Sequence, residues 1–362
     1  MNDLQQKFAT LRERLTDYSV GQQEIIDAVC LGLVAREHVL LYGPAGCNKT
    51  ATILATSALC GINGSLFSVT LNKYTAPDAL LGPVSIKGLK EDRFEHKLDG
   101  YIGTAPLAFI GEVFRGNGAT RVALHTVLNE RYIDNGGHRV KIPLHVAFLD
   151  TNNLPAVDGD KPFYDRLLIR VPVSYLPSVD SDLFVKMLSC AAFDPNAEDP
   201  IMTFADLTQA AEQASEQTSV PDTILHEVFN LRASFMEKEI GFSDRRWKHS
   251  LNVLCASAWL RGSDMVEPMD LYALRHVLWD YPEQRDTMAE LLDPYQGMTA
   301  SHVENSLIDQ ATSIYENALK SMVGEVLVSA MVELNDLRDR VSEPQLRDRI
   351  NAMLDELENS AI

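Results

Sequence analysis

Leu4, Phe8, Leu11 and Leu15 recur at helical spacing, and Ile25, Ile26, Val29, Leu33 and Val34 do so again. Two amphipathic helices are therefore predicted ahead of the first strand. From there the pattern alternates. Short apolar runs at residues 40–42, 65–70, 107–110, 145–150 and 169–173 read as strands, and a helical period covers residues 120–130. Strands separated by helices imply a parallel sheet covered on both faces, an α/β sandwich.

Two insertions interrupt the alternation. Residues 75–101 are rich in glycine and charge and too long for an ordinary connection, which marks them as functional. Residues 132–140 read as a β-hairpin around the Asn135-Gly136 turn. From residue 178 only helical patterns remain, punctuated by Pro200, Pro221, Pro268 and Pro282. The tail continues with Leu307, Ala311 and Ile314, then Met322, Val326, Met331 and Leu334, then Leu346, Ile350, Met353, Leu354 and Leu357. Its apolar spacing drifts and Ser342-Glu343-Pro344 breaks it, which predicts a small antiparallel helical appendage rather than a long coiled coil. The expected domains are thus 1–177 (α/β), 178–298 (all-α) and 299–362 (appendage).

Composition narrows the class. The 362 residues are 46% hydrophobic, enough for a sizeable core. With 32 basic and 51 acidic side chains the net charge is −19, which opposes non-specific attraction to nucleic acid or anionic membrane. Cys30, Cys47, Cys60, Cys190 and Cys255 form no CxxC pair, so no disulfide framework or zinc site is indicated and the reduced cytoplasm fits. The amino terminus lacks a signal-peptide pattern and no run of 18 apolar residues occurs, so no membrane segment is expected.

The stretch Gly43-Pro44-Ala45-Gly46-Cys47-Asn48-Lys49-Thr50-Ala51 follows a short apolar strand and opens a helix. Such a loop cradles phosphate. Its backbone N–H groups point at phosphate oxygens, Lys49 reaches the β/γ-phosphates and the Thr50 hydroxyl can hold Mg²⁺. The following helix aims its positive end at the same anion. Asn48 stands where the general pattern has glycine, so a non-glycine must make the tight turn. Cys47 reads as a small residue in a tight loop unless its thiol pKa is lowered.

Nucleotide triphosphate hydrolysis also needs a polarised water and compensation of the charge on the departing phosphate. The strand 107–110 runs into Gly111-Glu112. Glu112 lies where a water-orienting base belongs, and equally where a solvated strand-end acid would lie. Strands of this kind normally end in Asp-Glu, the aspartate holding Mg²⁺ through water, and here that position is Gly111. The strand 145–150 ends in Asp150-Thr151-Asn152. Asn152 suits a water or γ-phosphate contact, or else a turn. Asp150 either compensates for Gly111 or faces a helix and pairs with a basic residue. Arg166, just before the last strand, suits an arginine finger offered to a neighbouring subunit, or plain solvation. Ser243-Asp244-Arg245-Arg246 opens a helix with Ser243 as N-cap, from which an arginine can fold over a nucleotide.

The order of these motifs resembles the AAA+ ATPases, and the MoxR family in particular. Residues 74–86, Leu128-Asn129-Glu130-Arg131-Tyr132, Tyr164-Asp165-Arg166-Leu167-Leu168-Ile169-Arg170 and Ser243-Asp244-Arg245-Arg246-Trp247 are similar to the RavA (regulatory ATPase variant) branch. The resemblance spans about residues 20–281. It implies ATP/ADP and Mg²⁺ as cofactors, with Val20-Gly21 as the adenine-side turn and Lys49 and Thr50 as the Walker A pair. Glu112 then resembles the Walker B glutamate, Asn152 sensor 1 and Arg166 the arginine finger. Arg245, with Arg246 as the near alternative, resembles sensor 2. Residues 75–101 resemble the helix-2 insert and 132–140 the pre-sensor-1 insert. The family implies hexamers and chaperone-like action on partner complexes, often with a von Willebrand factor A (vWA) domain protein. The roughly 60 residues after Ser301 leave no space for the further small domain that RavA-type proteins carry there. A nucleotide-gated scaffold with weak or no hydrolysis is the alternative, because of Gly111.

Overall fold

The computed structural model describes residues 1–62, 64–155, 161–176, 180–190, 193–194, 199–298, 300–321, 324–341 and 344–360. The boundaries expected at 177/178 and 298/299, with Met322, Ser342 and Glu343 of the tail, lie at least partly outside the described residues. In chain order the elements begin α1 (Asp3–Tyr18), α2 (Gln23–Ala35), β1 (Val39–Tyr42), α3 (Lys49–Leu59) and β2 (Leu66–Thr70). There follow α4 (Asp78–Leu81), α5 (Ile86–Lys90), β3 (Leu107–Gly111), α6 (Gly118–Glu130), β4 (Tyr132–Asn135), β5 (His138–Lys141) and β6 (Val146–Thr151). Then come α7 (Lys161–Tyr164), β7 (Ile169–Pro172), α8 (Ser181–Ser189), α9 (Phe204–Gln217), α10 (Asp222–Glu237) and α11 (Asp244–Arg261). The last are α12 (Arg285–Leu292), α13 (Ala300–Ser321), α14 (Gly324–Arg340) and α15 (Pro344–Ser360).

The chain forms two compact units. The first comprises Met1–Ser219, Ile240–Val266 and Ala273–Met288. It holds a five-stranded sheet in the order β2-β3-β6-β1-β7, with every pairing parallel. β3 is buried along its whole length and β6 is buried except at Asp150, as strands covered on both faces require. Leu40, Ile110, Leu124, Val127 and Leu149 belong to the core beneath them. Because the strands are parallel, β1, β3 and β6 deliver their carboxyl ends to one edge. The P-loop, Gly111-Glu112 and Asp150-Thr151-Asn152 meet there.

The two insertions are tied to one another. β4 and β5 pair around a two-residue Gly136-Gly137 turn with φ of 62° and 81°, one residue beyond the Asn135-Gly136 turn expected. Asn135 accepts from the His96 N–H at 2.6 Å and donates to the His96 carbonyl at 3.1 Å. The 75–101 segment is anchored at its start, where the Thr75 carbonyl accepts from Asn117 at 2.5 Å and Thr120 at 2.6 Å. α9 and α11, expected in the all-α domain, pack on α2 within the first unit, and Phe8 of α1 meets Trp259 of α11 edge-on at 5.6 Å.

The second unit comprises Val220–Glu239, Glu267–Tyr272 and Ala289–Ile362. In it α13, α14 and α15 pack pairwise around Leu307, Ala311, Leu334, Ile350, Leu354 and Leu357, the helical appendage read from the tail. One position differs: Val326 is exposed and Leu327 points inward, because the neighbouring apolar pair made two helical registers equally readable.

Three imidazoles are buried as neutral rings in the first unit. His38 accepts the Ala147 N–H on Nδ1 and donates from Nε2 to the Leu128 carbonyl, so both nitrogens are used by one neutral tautomer. His145 donates to the Leu33 carbonyl at 2.7 Å. Burial first, then neighbouring arginines, lowers His38 and His145 to about 4 and His276 to about 3. The unfolded rings protonate near pH 6.5, so the stability these sites contribute is fully present above that pH and is lost as pH falls towards 4. The urea midpoint of the first unit is expected to drop between pH 7 and 5, each ring contributing up to about 1.4 kcal/mol per pH unit. A midpoint unchanged over that range would show that the rings are not held neutral.

Candidate nucleotide site

The P-loop is shaped by one close approach and one left-handed turn. A Cβ on Gly43 would lie 2.0 Å from the Val173 carbonyl oxygen, so only glycine fits there. Asn48 adopts φ 62°, ψ 11°, the left-handed conformation that asparagine tolerates better than most residues. Its side chain donates to the Tyr18 carbonyl at 2.8 Å, which holds the turn that glycine would otherwise make. α3 begins at Lys49, with its free N–H groups and positive dipole end directed at the loop. Burial pushes the Cys47 thiol up, and Lys49 offsets this only in part. Cys47 is therefore a packed loop residue rather than a reactive one.

A cavity of about 580 Å³ opens beside this loop. Tyr18, Val20, Tyr175, Leu176, Phe184 and Met187 supply apolar walls, while Gly46, Cys47, Asn48 and Ala51 form its loop side. Apolar walls beside a backbone phosphate cradle are the surfaces a nucleotide needs. Gly21 packs behind the cavity, where a Cβ would meet Leu176 at 2.4 Å. Tyr175 also donates to the Ala45 carbonyl at 3.1 Å. The aromatic and Leu/Met walls were not legible in the sequence, because they come from the end of α1, the segment after β7 and α8, which share no spacing.

The strand ends form a hydrogen-bonded cluster. Lys49, only 5% exposed, donates to the Gly43 carbonyl at 2.6 Å and to Asn152 Oδ1 at 3.4 Å. Its ammonium lies 3.4 Å from Asp150 Oδ2. Asp150 Oδ1 accepts the Glu112 backbone N–H at 2.8 Å, and Asn152 Nδ2 donates to Glu112 Oε1 at 2.6 Å. Arg115 Nε lies 3.4 Å from Glu112 Oε2. Glu112 itself has φ 52°, ψ 46°, a left-handed backbone that costs a non-glycine about 1–3 kcal/mol. The surrounding bonds therefore hold its carboxylate in a conformation it would not choose. Thr50 is exposed in the first turn of α3. Among the described residues no group of three His, Cys, Asp or Glu side chains is placed to hold a metal. A Mg²⁺ ion here would draw its ligands from Thr50, nucleotide phosphates and water, an arrangement the small, oxygen-seeking ion favours.

Arg166 and Arg245 do not line the cavity beside the P-loop. They line a separate small cavity of about 80 Å³ together with Arg36, Asn129 and Arg131. Arg166 donates to the Pro162 carbonyl at 2.7 Å, and Arg245, exposed, donates to the Asn129 side chain. Burial, then repulsion from Arg245, lowers Arg166 below its ordinary value. His125 is lowered by burial and then by both arginines. Arg246 borders the same small cavity but is paired differently. It is 3% exposed and clasped by Asp165 and Asp280, each at 2.8 Å. Burial pushes Asp280 up, but Arg246 and the fully buried Arg170 hold it below the usual carboxylate range. Arg246 thus belongs to an internal ion-pair network, and Arg245 is the member of the pair turned to solvent.

A family model described as the MoxR domain in the MoxR-vWA-beta-propeller ternary systems matches residues 6–207, and a AAA lid domain model matches residues 223–292. This chain belongs to the MoxR family of AAA+ ATPases. Two uncharacterized proteins of Methanocaldococcus jannaschii are each 33% identical to it, over 282 and 276 residues, covering 77% and 76% of this chain and 72% of each relative. The chaperone MoxR1 of Mycobacterium tuberculosis is 26% identical over 284 residues, 72% of each protein. The fold matches the crystal structure of a candidate ATPase from Cytophaga hutchinsonii at a TM-score of 0.64 and 17% identity, covering 81% of this chain and 94% of that one.

Three substitutions separate phosphate binding from the internal ion-pair network. Lys49→Ala removes the cation at the β/γ-phosphate position and is expected to abolish ATP binding, as equilibrium titration with a fluorescent ATP analogue would show. Affinity kept within a few-fold would overturn the P-loop assignment. Arg246→Ala takes the buried cation from Asp165, while Asp280 keeps Arg170, and is expected to destabilise the first unit by about 1.5–3 kcal/mol. Arg245→Ala, at an exposed position, should change stability by about 0.5 kcal/mol or less. Equal urea midpoints for the two variants would remove the distinction between them.

Proposed function

We propose that this MoxR-family chain binds ATP and Mg²⁺ in the P-loop cavity, hydrolyses ATP at the interface of a ring, and uses the cycle to remodel or assemble a partner complex. The observation that carries the reading is the joined cluster Lys49–Asp150–Glu112–Asn152 beside the cavity: one buried cation for phosphate and one constrained carboxylate for water. The apolar wall holds the base, and the N–H groups of the loop and of the first turn of α3 bind the phosphates. Bound Mg²⁺ supplies neutralisation of the β- and γ-phosphate charge. Glu112 and Asn152, hydrogen-bonded to each other, orient the attacking water, and the Glu112 carboxylate accepts its proton. Arg166 and Arg245 are displayed away from their own P-loop cavity, which suits charge compensation at a neighbour's γ-phosphate.

The motifs at residues 74–86, 128–132, 164–170 and 243–247 support placement near the RavA branch, and a hexamer is the assembly we propose. A vWA-domain protein is the partner class suggested by the matched MoxR-vWA-beta-propeller model. Ile86, Leu89 and Phe94 of the 75–101 segment are exposed, as a surface that grips protein requires. Among the described residues no helix is long and apolar enough to cross a membrane, and we place the activity in the cytoplasm. Gly111 favours a second reading, a nucleotide-gated scaffold with little turnover. Steady-state turnover of wild type beside Glu112→Gln separates the two: a motor loses turnover and keeps ATP binding, whereas a scaffold has little to lose.

The ring model makes its own prediction. Oligomerisation should depend on ATP, and Arg166→Ala should lower turnover by roughly 10³–10⁵-fold if the residue acts as an arginine finger. Mixing Arg166→Ala with Glu112→Gln chains should partly restore turnover, because some interfaces then combine an intact Glu112 with an intact Arg166. Light scattering that shows a monomer at micromolar protein in ATP would argue against the ring.

A further inference from the structure

We infer that the metal-orienting carboxylate of this site has moved one strand across the sheet, from the end of β3 to Asp150 on β6, and that Gly111 is the space that admits it. β3 and β6 are hydrogen-bonded neighbours, and their register pairs Ile110 with Leu149. One step further along, Gly111 and Asp150 lie at the same level, and residues at one level of adjacent parallel strands point to the same face of the sheet. A Cβ built on Gly111 would lie 3.3 Å from Asp150 Oδ1 and 2.9 Å from Thr70 Oγ1. The carboxylate of Asp150 thus stands where a side chain at 111 would begin to extend.

Its attachments fit the role. Oδ1 is fixed by the Glu112 N–H at 2.8 Å, and Oδ2 faces the Lys49 ammonium at 3.4 Å. A carboxylate oxygen has more than one acceptor direction, so these contacts leave capacity for metal-bound water. The side chain is 15% exposed, enough for water to reach it. Residues 111 and 150 are therefore alternatives. A second carboxylate at 111 would crowd the Thr70 hydroxyl and set two anions against each other, so adding the acid to the native chain should impair the site.

The inference rests on the nucleotide-binding reading above, and its test is a ratio that does not require turnover. The dissociation constant of a fluorescent ATPγS is measured in EDTA and in Mg²⁺ for each chain. Wild type should bind at least tenfold tighter with Mg²⁺. Asp150→Ala and the near-isosteric Asp150→Asn should both bring the ratio to within threefold of one. The exchange Gly111→Asp with Asp150→Ala, made with Thr70 intact and with Thr70→Ala to open space, should restore the ratio in at least one background. Gly111→Asp alone should lower it. A wild type that binds no ATPγS in either condition overturns the nucleotide reading itself. A wild-type ratio near one, Asp150 variants that weaken binding equally in both conditions, or an exchange that restores nothing would each overturn the relocation and leave Asp150 as the counter-ion of Lys49 alone.

Discussion

The site turns on a buried ammonium. Lys49 has little contact with solvent, and a cation removed from water is tolerated only when hydrogen bonds and an opposite charge replace its hydration. Gly43, Asn152 and Asp150 supply that replacement from three different segments. This one requirement links the P-loop to β6, and through Asp150 and Asn152 to Glu112 on the far side of β6. An arriving polyphosphate is a stronger counter-ion than one carboxylate. Drawing Lys49 towards phosphate would loosen its hold on Asp150 and Asn152, the two residues that position Glu112. On the proposed reading, nucleotide occupancy would in this way be coupled to Glu112, through contacts of about 3 Å rather than a long path.

Glu112 shows the other side of that coupling. Its left-handed backbone is unfavourable by itself, and the Asp150 and Asn152 bonds are what hold it there. The strain therefore lies at Glu112, whose backbone and side chain these two bonds hold in place. Asn48 is the contrasting case: the same backbone region is occupied at little cost, because asparagine tolerates it and the Tyr18 carbonyl rewards it.

Much of the fold was legible because its signals are local. Apolar periods of 3.6 and short buried runs mark α1, α2, β1, β3 and β6, and the glycine-bearing loop before Lys49 marks the cradle. What was not legible depended on neighbours in space. Asp150 is legible in sequence as a candidate for the acid missing at 111, but only the order β3-β6-β1 sets it between Gly111 and Lys49. Arg245 and Arg246 are adjacent and chemically alike in sequence. A helix turns successive residues by about 100°, and that rotation alone sends one to Asp165 and Asp280 and the other to solvent. The placement of both away from the P-loop cavity had no local signal at all. In the tail, Val326 and Leu327 differ only in which one meets the core, a choice made by α13 and α15 rather than by α14 itself.

The two charged regions of the first unit are unlike in balance. Around Lys49 the cation is compensated by Asp150 and carbonyl oxygens. Around Arg166 and Arg245 compensation is only partial: Asp165 favours the charged form of Arg166, yet burial and then Arg245 lower it, and His125 beside them is pushed towards its neutral form by burial and then by both arginines. A cation that lowers a neighbour's proton affinity carries an electrostatic cost that a bound anion would remove. The proposed ring supplies such an anion, since a nucleotide in one chain's P-loop retains negative charge on its γ-phosphate. The cost carried by the arginine face of a single chain would then be relieved only when a neighbour is loaded, so assembly and ATP occupancy would favour each other by linkage, with no change of fold required.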